Sequence, residues 1–202
     1  MRHDIPASGQ PVAPIALGDA DEAGLRAEIL RLRRENRALT IALAEMERVA
    51  DRDMLTPLHN RRHFLSALHQ RIARVERFGD RIALIYCDVD NLKQINDTHG
   101  HGAGDYALIE IAARLTGSMR PCDVLARIGG DEFGILLDHV SQSEAMGKMR
   151  RLKALIEDEP CHYEGAELRL SAAFGLAMIT AGQSAEELIG RADAAMYRDK
   201  RG

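Results

Sequence analysis

Cysteine is scarce in this chain of 202 residues, and the three present, Cys87, Cys122 and Cys161, are odd in number and lack metal-ligand spacing. That excludes a disulfide framework and a cysteine-based zinc site, and it reads as reduced thiols in a reducing compartment. Long apolar runs are missing as well: no stretch of about 18 apolar residues is available to cross a bilayer. Met1-Arg2-His3-Asp4 opens without the apolar stretch of a secretion signal, so the expectation is a cytoplasmic protein with no membrane contact. Neither sign of charge is in large excess. A net charge of -4 gives no general pull toward nucleic acid or anionic lipid, so any phosphate binding has to be local. What is present, 46% hydrophobic and 29% charged residues, suffices for one well-buried domain with an accessory segment.

Three of the six prolines, Pro6, Pro11 and Pro14, fall among small and polar residues in positions 1–20, which read as a flexible tail. From Asp21 the composition turns to Leu, Ala, Glu and Arg. Leu25, Leu32, Leu39 and Met46 recur every seventh residue at d, with Ile29, Asn36, Leu43 and Ala50 at a. A polar Asn36 at a selects register and oligomer state. Asp21 and Glu28 at g would meet Arg26 and Arg33 at e in a parallel pair. A single amphipathic helix is the bland alternative. The narrow stripe with charged flanks favours a parallel two-stranded coiled coil over residues 21–50.

Beyond Asp51 helices and strands alternate. Helices are expected over about 60–78, 103–118, 141–157 and 185–200, with strands over 82–88, on either side of Gly129-Gly130, and over a long run 168–179. His162 to Glu164 would pair with the start of that last strand through Gly165. The order β-α-β-β-α-β, with an extra helix at each end, predicts an α+β ferredoxin-like domain with a mostly antiparallel sheet over residues 51–202. In that topology the first and third strands are antiparallel neighbours, which brings Asp88 to the hairpin tip at Asp131.

Arg127-Ile128-Gly129-Gly130-Asp131-Glu132-Phe133 carries the strongest signal. The Gly-Gly pair would supply the positive φ angles of a tight hairpin turn, expose Asp131 and Glu132, and let a phosphate approach the backbone. Asp88 and Asp90 alone read as a strand cap. Converging with Asp131, Asp88 and the Val89 carbonyl provide hard oxygen donors of the kind a two-metal phosphoryl-transfer site uses. In His99-Gly100-His101-Gly102-Ala103-Gly104-Asp105, the Asp105 carboxylate sits near a helix start, favoured by the dipole, and is able to accept the N1–H and amine of a guanine. The two histidines lack partners at zinc spacing.

These segments resemble the GGDEF family, the diguanylate cyclases, over roughly residues 51–202. The likeness covers Asp53-Met54-Leu55-Thr56-Pro57-Leu58-His59-Asn60-Arg61-Arg62, the stretches from Asp88 to Asp105 and Arg127 to Phe133, and Ala192 to Lys200. The resemblance implies a homodimer, joined through residues 21–50, that condenses two GTP into cyclic di-GMP and two pyrophosphates. It assigns two magnesium ions per active site, or manganese, to Asp88, the Val89 carbonyl and Asp131. Asn96 and Asp105 would read guanine with His101 beside the nucleotide. Lys93, Lys200 and the backbone around Asn91, Leu92, Gly129 and Gly130 would hold the triphosphate. Arg127 and Lys93 would stabilise phosphoryl charge, and either Glu132 or Asp131 would assist deprotonation of the 3'-hydroxyl. Leu92 stands where the family often has Phe, and Pro57 where it has Gly. The family's arginine four residues after Lys200 would fall past Gly202, so either the sequence is shortened there or Arg198 or Arg201 stands in. Arg120-Pro121-Cys122-Asp123 resembles the family's RxxD product-inhibitory site, in which arginine donates to a guanine O6/N7 edge and the carboxylate accepts from N1–H and N2–H. Two other classes fit parts of this pattern: a silent cyclic di-GMP receptor, and a GTP-sensing interaction module.

Overall fold

The computed structural model describes residues 19–201; the tail expected over residues 1–20 lies outside them except where the first helix already begins at Asp19. The chain divides into two compact units between residues 47 and 48. The first is carried by α1 (Asp19–Ala50). Leu25, Ile29, Leu32, Leu39 and Met46 of the expected seam are all exposed, from 40% at Ile29 to 71% at Met46. The Leu43 side chain lies outside the described ones. Leu30 and Ile41, off the seam, are exposed as well. Arg26 pairs with Glu22 and Arg31 with Glu28 and Glu35, so part of the expected g and e charge is also engaged along the helix.

The second unit begins with α2 (Arg61–Phe78), capped by Asn60, whose side chain accepts from the His63 N–H, and closed by Gly79 in the left-handed region. There follow β1 (Ile82–Val89), α3 (Leu92–His99), α4 (His101–Thr116), β2 (Val124–Arg127), β3 (Glu132–Asp138) and α5 (Gln142–Glu157). The chain then forms β4 (Cys161–Tyr163), β5 (Ala166–Leu168), β6 (Ala172–Met178) and α6 (Ala185–Arg201). The main sheet has the order β2-β3-β1-β6, all neighbours antiparallel, which is the ferredoxin-like arrangement expected.

Both faces of the sheet are covered, which is why β1 reads as an unbroken apolar run rather than an alternating one. Ala83, Ile85 and Cys87 pack toward α4 and α5, whereas Ile82, Leu84 and Tyr86 pack toward α2 and α6. Fully buried side chains such as Phe64, Phe133 and Leu84 each contribute roughly 1.5–3 kcal/mol. Among the described residues no helix is long and apolar enough to cross a membrane.

Three expectations are corrected. The segment after β1 contains an additional helix, α3, and α4 starts at His101 rather than near Ala103. The long strand over 168–179 is broken: β5 pairs with β4 in its own two-stranded sheet, and Ser171 accepts the Asp90 N–H between β5 and β6. The Gly129-Gly130 turn uses no positive φ, because four residues separate β2 from β3 where a two-residue turn would have required it.

Candidate active site

The register of β1 against β3 sets the site. Asp88 lies opposite Glu132, and the Val89 N–H donates to the Asp131 carbonyl at 2.9 Å. A carboxylate at the end of β1, one from the loop between β2 and β3 and one from the first residue of β3 therefore converge on one sheet edge. The loop is closed by the Ile128 N–H donating to the Glu132 carbonyl at 2.9 Å and by Arg127, whose Nη2 donates to the Gly130 carbonyl at 2.7 Å. Arg127 also donates to Asp53 Oδ1 at 3.2 Å, so its guanidinium is engaged in holding the loop. Gly129 matters by contact, not by φ: a Cβ there would lie 2.3 Å from Glu132 Oε2, so any side chain would displace the Glu132 carboxylate.

Burial, followed by the charges of Asp88 and Asp131, raises the Glu132 carboxyl above its usual range. Such crowding calls for a cation. Lys200 from α6 already supplies one, its Nζ 2.5 Å from Asp88 Oδ1 and 3.9 Å from Asp90 Oδ1. Among the described residues no group of three or more His, Cys, Asp or Glu is arranged to hold an ion by itself. The donor set fits a hard divalent ion that shares its coordination with substrate oxygens, as magnesium does.

Beside this edge lies a pocket of about 500 Å³ lined by Leu92, Lys93, Asn96, His101, Asp105, Arg127, Gly130 and Asp131, with Asp131 common to both. Asn96 packs so closely on Gly104 that a Cβ there would lie 2.0 Å from its Oδ1, an oxygen that is buried without a hydrogen-bond partner. Asp105 is the fifth residue of α4, past the first turn, so the dipole argument for its placement does not hold. Asn91 begins α3 in the left-handed region at φ 55 and makes no side-chain cap. Asp88, Val89, Asn91, Gly129, Glu132 and Lys200 do not line this pocket. Asp53 and Arg61, which donates to the Ile128 carbonyl at 3.2 Å, brace the loop; both belong to the quoted lead-in motif, but their role was not legible there.

A second pocket, of about 390 Å³, is lined by Arg120, Asp123, His139, Lys148 and Arg151 among others. Arg120 and Asp123 form a closed turn, the Arg120 N–H donating to Asp123 Oδ2 at 3.0 Å. Lys148 donates to the Ser118 carbonyl. Burial lowers its ammonium pKa; Asp123 opposes the shift, and Arg151 and Arg120 add to it. Lys148 and Arg151 come from the surface of α5, where basic residues carry no special sequence signal.

A ferredoxin-like sheet with an acidic edge and an adjoining polar pocket is the class that fold and site define. The chain belongs to the diguanylate cyclase GGDEF-domain family, whose model matches residues 50–202. It is 37% identical over 159 residues to the diguanylate cyclase DgcP of Pseudomonas aeruginosa, covering 79% of this chain and 24% of that protein. A similar likeness, 37% over 164 residues, links it to the bifunctional diguanylate cyclase/cyclic di-GMP phosphodiesterase MucR of the same organism, covering 81% and 24%. The chain thus spans about a quarter of the length of these two relatives. The crystal structure of the coiled coil and GGDEF domain of DgcB from Caulobacter crescentus in complex with c-di-GMP superposes with a TM-score of 0.78 at 28% identity, covering 88% of this chain and 95% of that one.

Proposed function

We propose that the chain is a cytoplasmic diguanylate cyclase that condenses two GTP into cyclic di-GMP and two pyrophosphates. The observation that carries this reading is the convergence of Asp88 and Asp131 on one sheet edge beside the pocket of Asn96 and Asp105. In that pocket Asn96 and Asp105 read the guanine edge, with His101 at the wall. Lys93, Lys200 and the backbone from Asn91 to Leu92 and at Gly129 and Gly130 hold the triphosphate. Asp88, the Val89 carbonyl and Asp131 would hold magnesium, or manganese, which when bound supplies Lewis-acid stabilisation of the phosphates. Lys200 then leaves Asp88 for the triphosphate.

The attacking group is the 3'-hydroxyl of the partner's GTP, whose oxygen bonds to the α-phosphorus as pyrophosphate leaves. Glu132, its carboxyl raised by burial and by the charges of Asp88 and Asp131, is the better-suited base of the two candidates, since Asp131 would be a ligand of the ion. Arg127 contributes through the loop it holds. One domain binds one GTP, so two chains must face each other, and a parallel coiled coil over residues 21–50 would raise the effective concentration of one domain at the other. Cyclic di-GMP binding at Arg120 and Asp123, with Lys148 and Arg151 facing its phosphates, provides feedback. The test is incubation with GTP and magnesium followed by nucleotide chromatography. Cyclic di-GMP and pyrophosphate in a one-to-two ratio are expected; unconsumed GTP with cyclic di-GMP bound would instead mark a receptor.

A further inference from the structure

Arg71 and Asp138 form a buried pair, 8% and 4% exposed, and neither lines the pocket of Asn96 and Asp105. Arg71, on α2, donates from Nε to Asp138 Oδ1 at 2.7 Å and from Nη2 to the Cys122 carbonyl at 3.0 Å. Cys122 lies inside the Arg120–Asp123 turn, which is closed by the Asp123 N–H donating to the Arg120 carbonyl at 3.0 Å. Asp138 is the last residue of β3, and the next two residues, His139 and Val140, line the second pocket. His139 turns that corner in the left-handed region at φ 55. One planar guanidinium therefore binds both walls of the pocket, and its fixed fork sets the spacing between them. Arg74, one turn along α2, donates to Asp138 Oδ2 at 2.8 Å and to Asp80 at 2.9 Å, and of the two walls it touches only the Asp138 side, with no hydrogen bond to the 120–123 turn.

We infer that Arg71 is a positioning residue for the ligand of the second pocket: it fixes the Arg120–Asp123 turn against the 138–140 corner and so sets how tightly that pocket holds a guanine-bearing phosphodiester. The inference rests on the reading of this pocket as the product site. A lysine at 71 keeps a cation for Asp138 but cannot present the two-way fork that also holds the Cys122 carbonyl. The pair is buried, so removing the charge altogether would chiefly test folding.

The experiment uses the full chain and titrates cyclic di-GMP by calorimetry. Arg71→Lys is expected to bind it at least about fivefold more weakly, while the KM for GTP and the product-free initial rate stay within about twofold of the parent. Arg74→Gln is the control for general loosening, expected to lower the thermal midpoint while cyclic di-GMP affinity stays within about twofold. Parent-like affinity in Arg71→Lys, or an equal loss in Arg74→Gln, overturns the assignment. If Arg71→Lys does not fold, hydrogen exchange on the parent decides: bound cyclic di-GMP should slow exchange at residues 120–124, 138–140 and 67–72 together. Protection of the pocket walls alone, with α2 unchanged, removes Arg71 from the role. Arg120→Ala separates the two levels. If it binds cyclic di-GMP like the parent, the product-site reading fails and the inference with it; if it binds weakly and Arg71→Lys does not, only the inference fails.

Discussion

At the end of β1, Asp88, Asp131 and Glu132 crowd negative charge along one edge, whereas Arg120, Lys148 and Arg151 gather positive charge around the turn before β2. The acidic edge is held by strand pairing and close contact: Val89 on Asp131, Gly129 under Glu132, Gly104 under Asn96. The basic pocket is held from beneath by the fork of Arg71, which joins Asp138 to the Cys122 carbonyl. The difference teaches what each needs from its ligand. Carboxylates positioned by backbone need only one exchangeable counter-charge, that of Lys200 on Asp88, and stay in place for a cation that arrives with substrate. Cations on helix surfaces need a rigid floor before they can select one polyanion from many.

The largest effect should come from the acidic edge. Asp131→Asn keeps size and pairing but removes the charge that balances a divalent ion, a stabilisation of several kcal/mol, so turnover should fall about 100-fold or more. Circular dichroism should stay unchanged, because the Asp131 backbone carbonyl still accepts from Val89. Normal turnover in this variant would remove Asp131 from the metal site and leave the two pockets without the contrast drawn here.

Assembly comes next. Removing residues 1–47 leaves the second compact unit with its own two-faced core. If α1 tethers two domains, activity per molecule at micromolar protein should drop about tenfold or more and recover as concentration rises. Rates independent of concentration, with a monomer confirmed by light scattering, would count against a two-chain reaction.

On the basic side, Arg120→Ala removes a charge-assisted donor pair worth about 1–3 kcal/mol in base recognition. Product inhibition should weaken about tenfold, and Arg151→Ala, which faces phosphate in this reading, should act in the same direction but with steeper salt sensitivity. Inhibition constants at two ionic strengths separate the two roles.

The contrast between the two regions was unevenly legible in the sequence. The meeting of Asp88 with the hairpin followed from strand order alone, because β-α-β-β-α-β makes β1 and β3 antiparallel neighbours. The helix α3 was missed because it is only eight residues long and opens after a left-handed Asn91. It has just two apolar residues, Leu92 and Ile95, that pack on the core without being fully buried, too short a stripe to read as a helix. The Gly-Gly pair was recognised for the wrong reason. Gly129 lies against the Glu132 side chain three residues on, a contact within the loop that depends on its four-residue length rather than on positive φ, while a Cβ at Gly130 would meet nothing. Arg120 and Asp123 were legible as a motif, but the floor beneath them was not: Arg71 and Asp138 stand 67 residues apart and read separately as ordinary surface charges.

The smallest expected effect tests whether the acidic loop has a floor of its own. Asp53 is 17% exposed along its side chain and pairs with Arg127, itself the donor to the Gly130 carbonyl. Burial alone would raise the Asp53 carboxyl, but the N–H and hydroxyl of Thr56, together with Arg127, outweigh it and hold it below the usual range. A carboxyl depressed in the folded state contributes stability that is complete above its unfolded pKa, about 3.9, and is lost as pH falls through the lower folded value. Asp53→Asn should therefore cost about 2 kcal/mol at pH 7, the scale of a hydrogen bond to a charged group. That difference from the parent should shrink steadily below about pH 4. Urea titrations of both proteins at pH 7 and at pH 3 measure it. A difference that stays constant across that range would mean the Asp53 charge does not brace the loop, leaving the acidic edge held by backbone and packing alone.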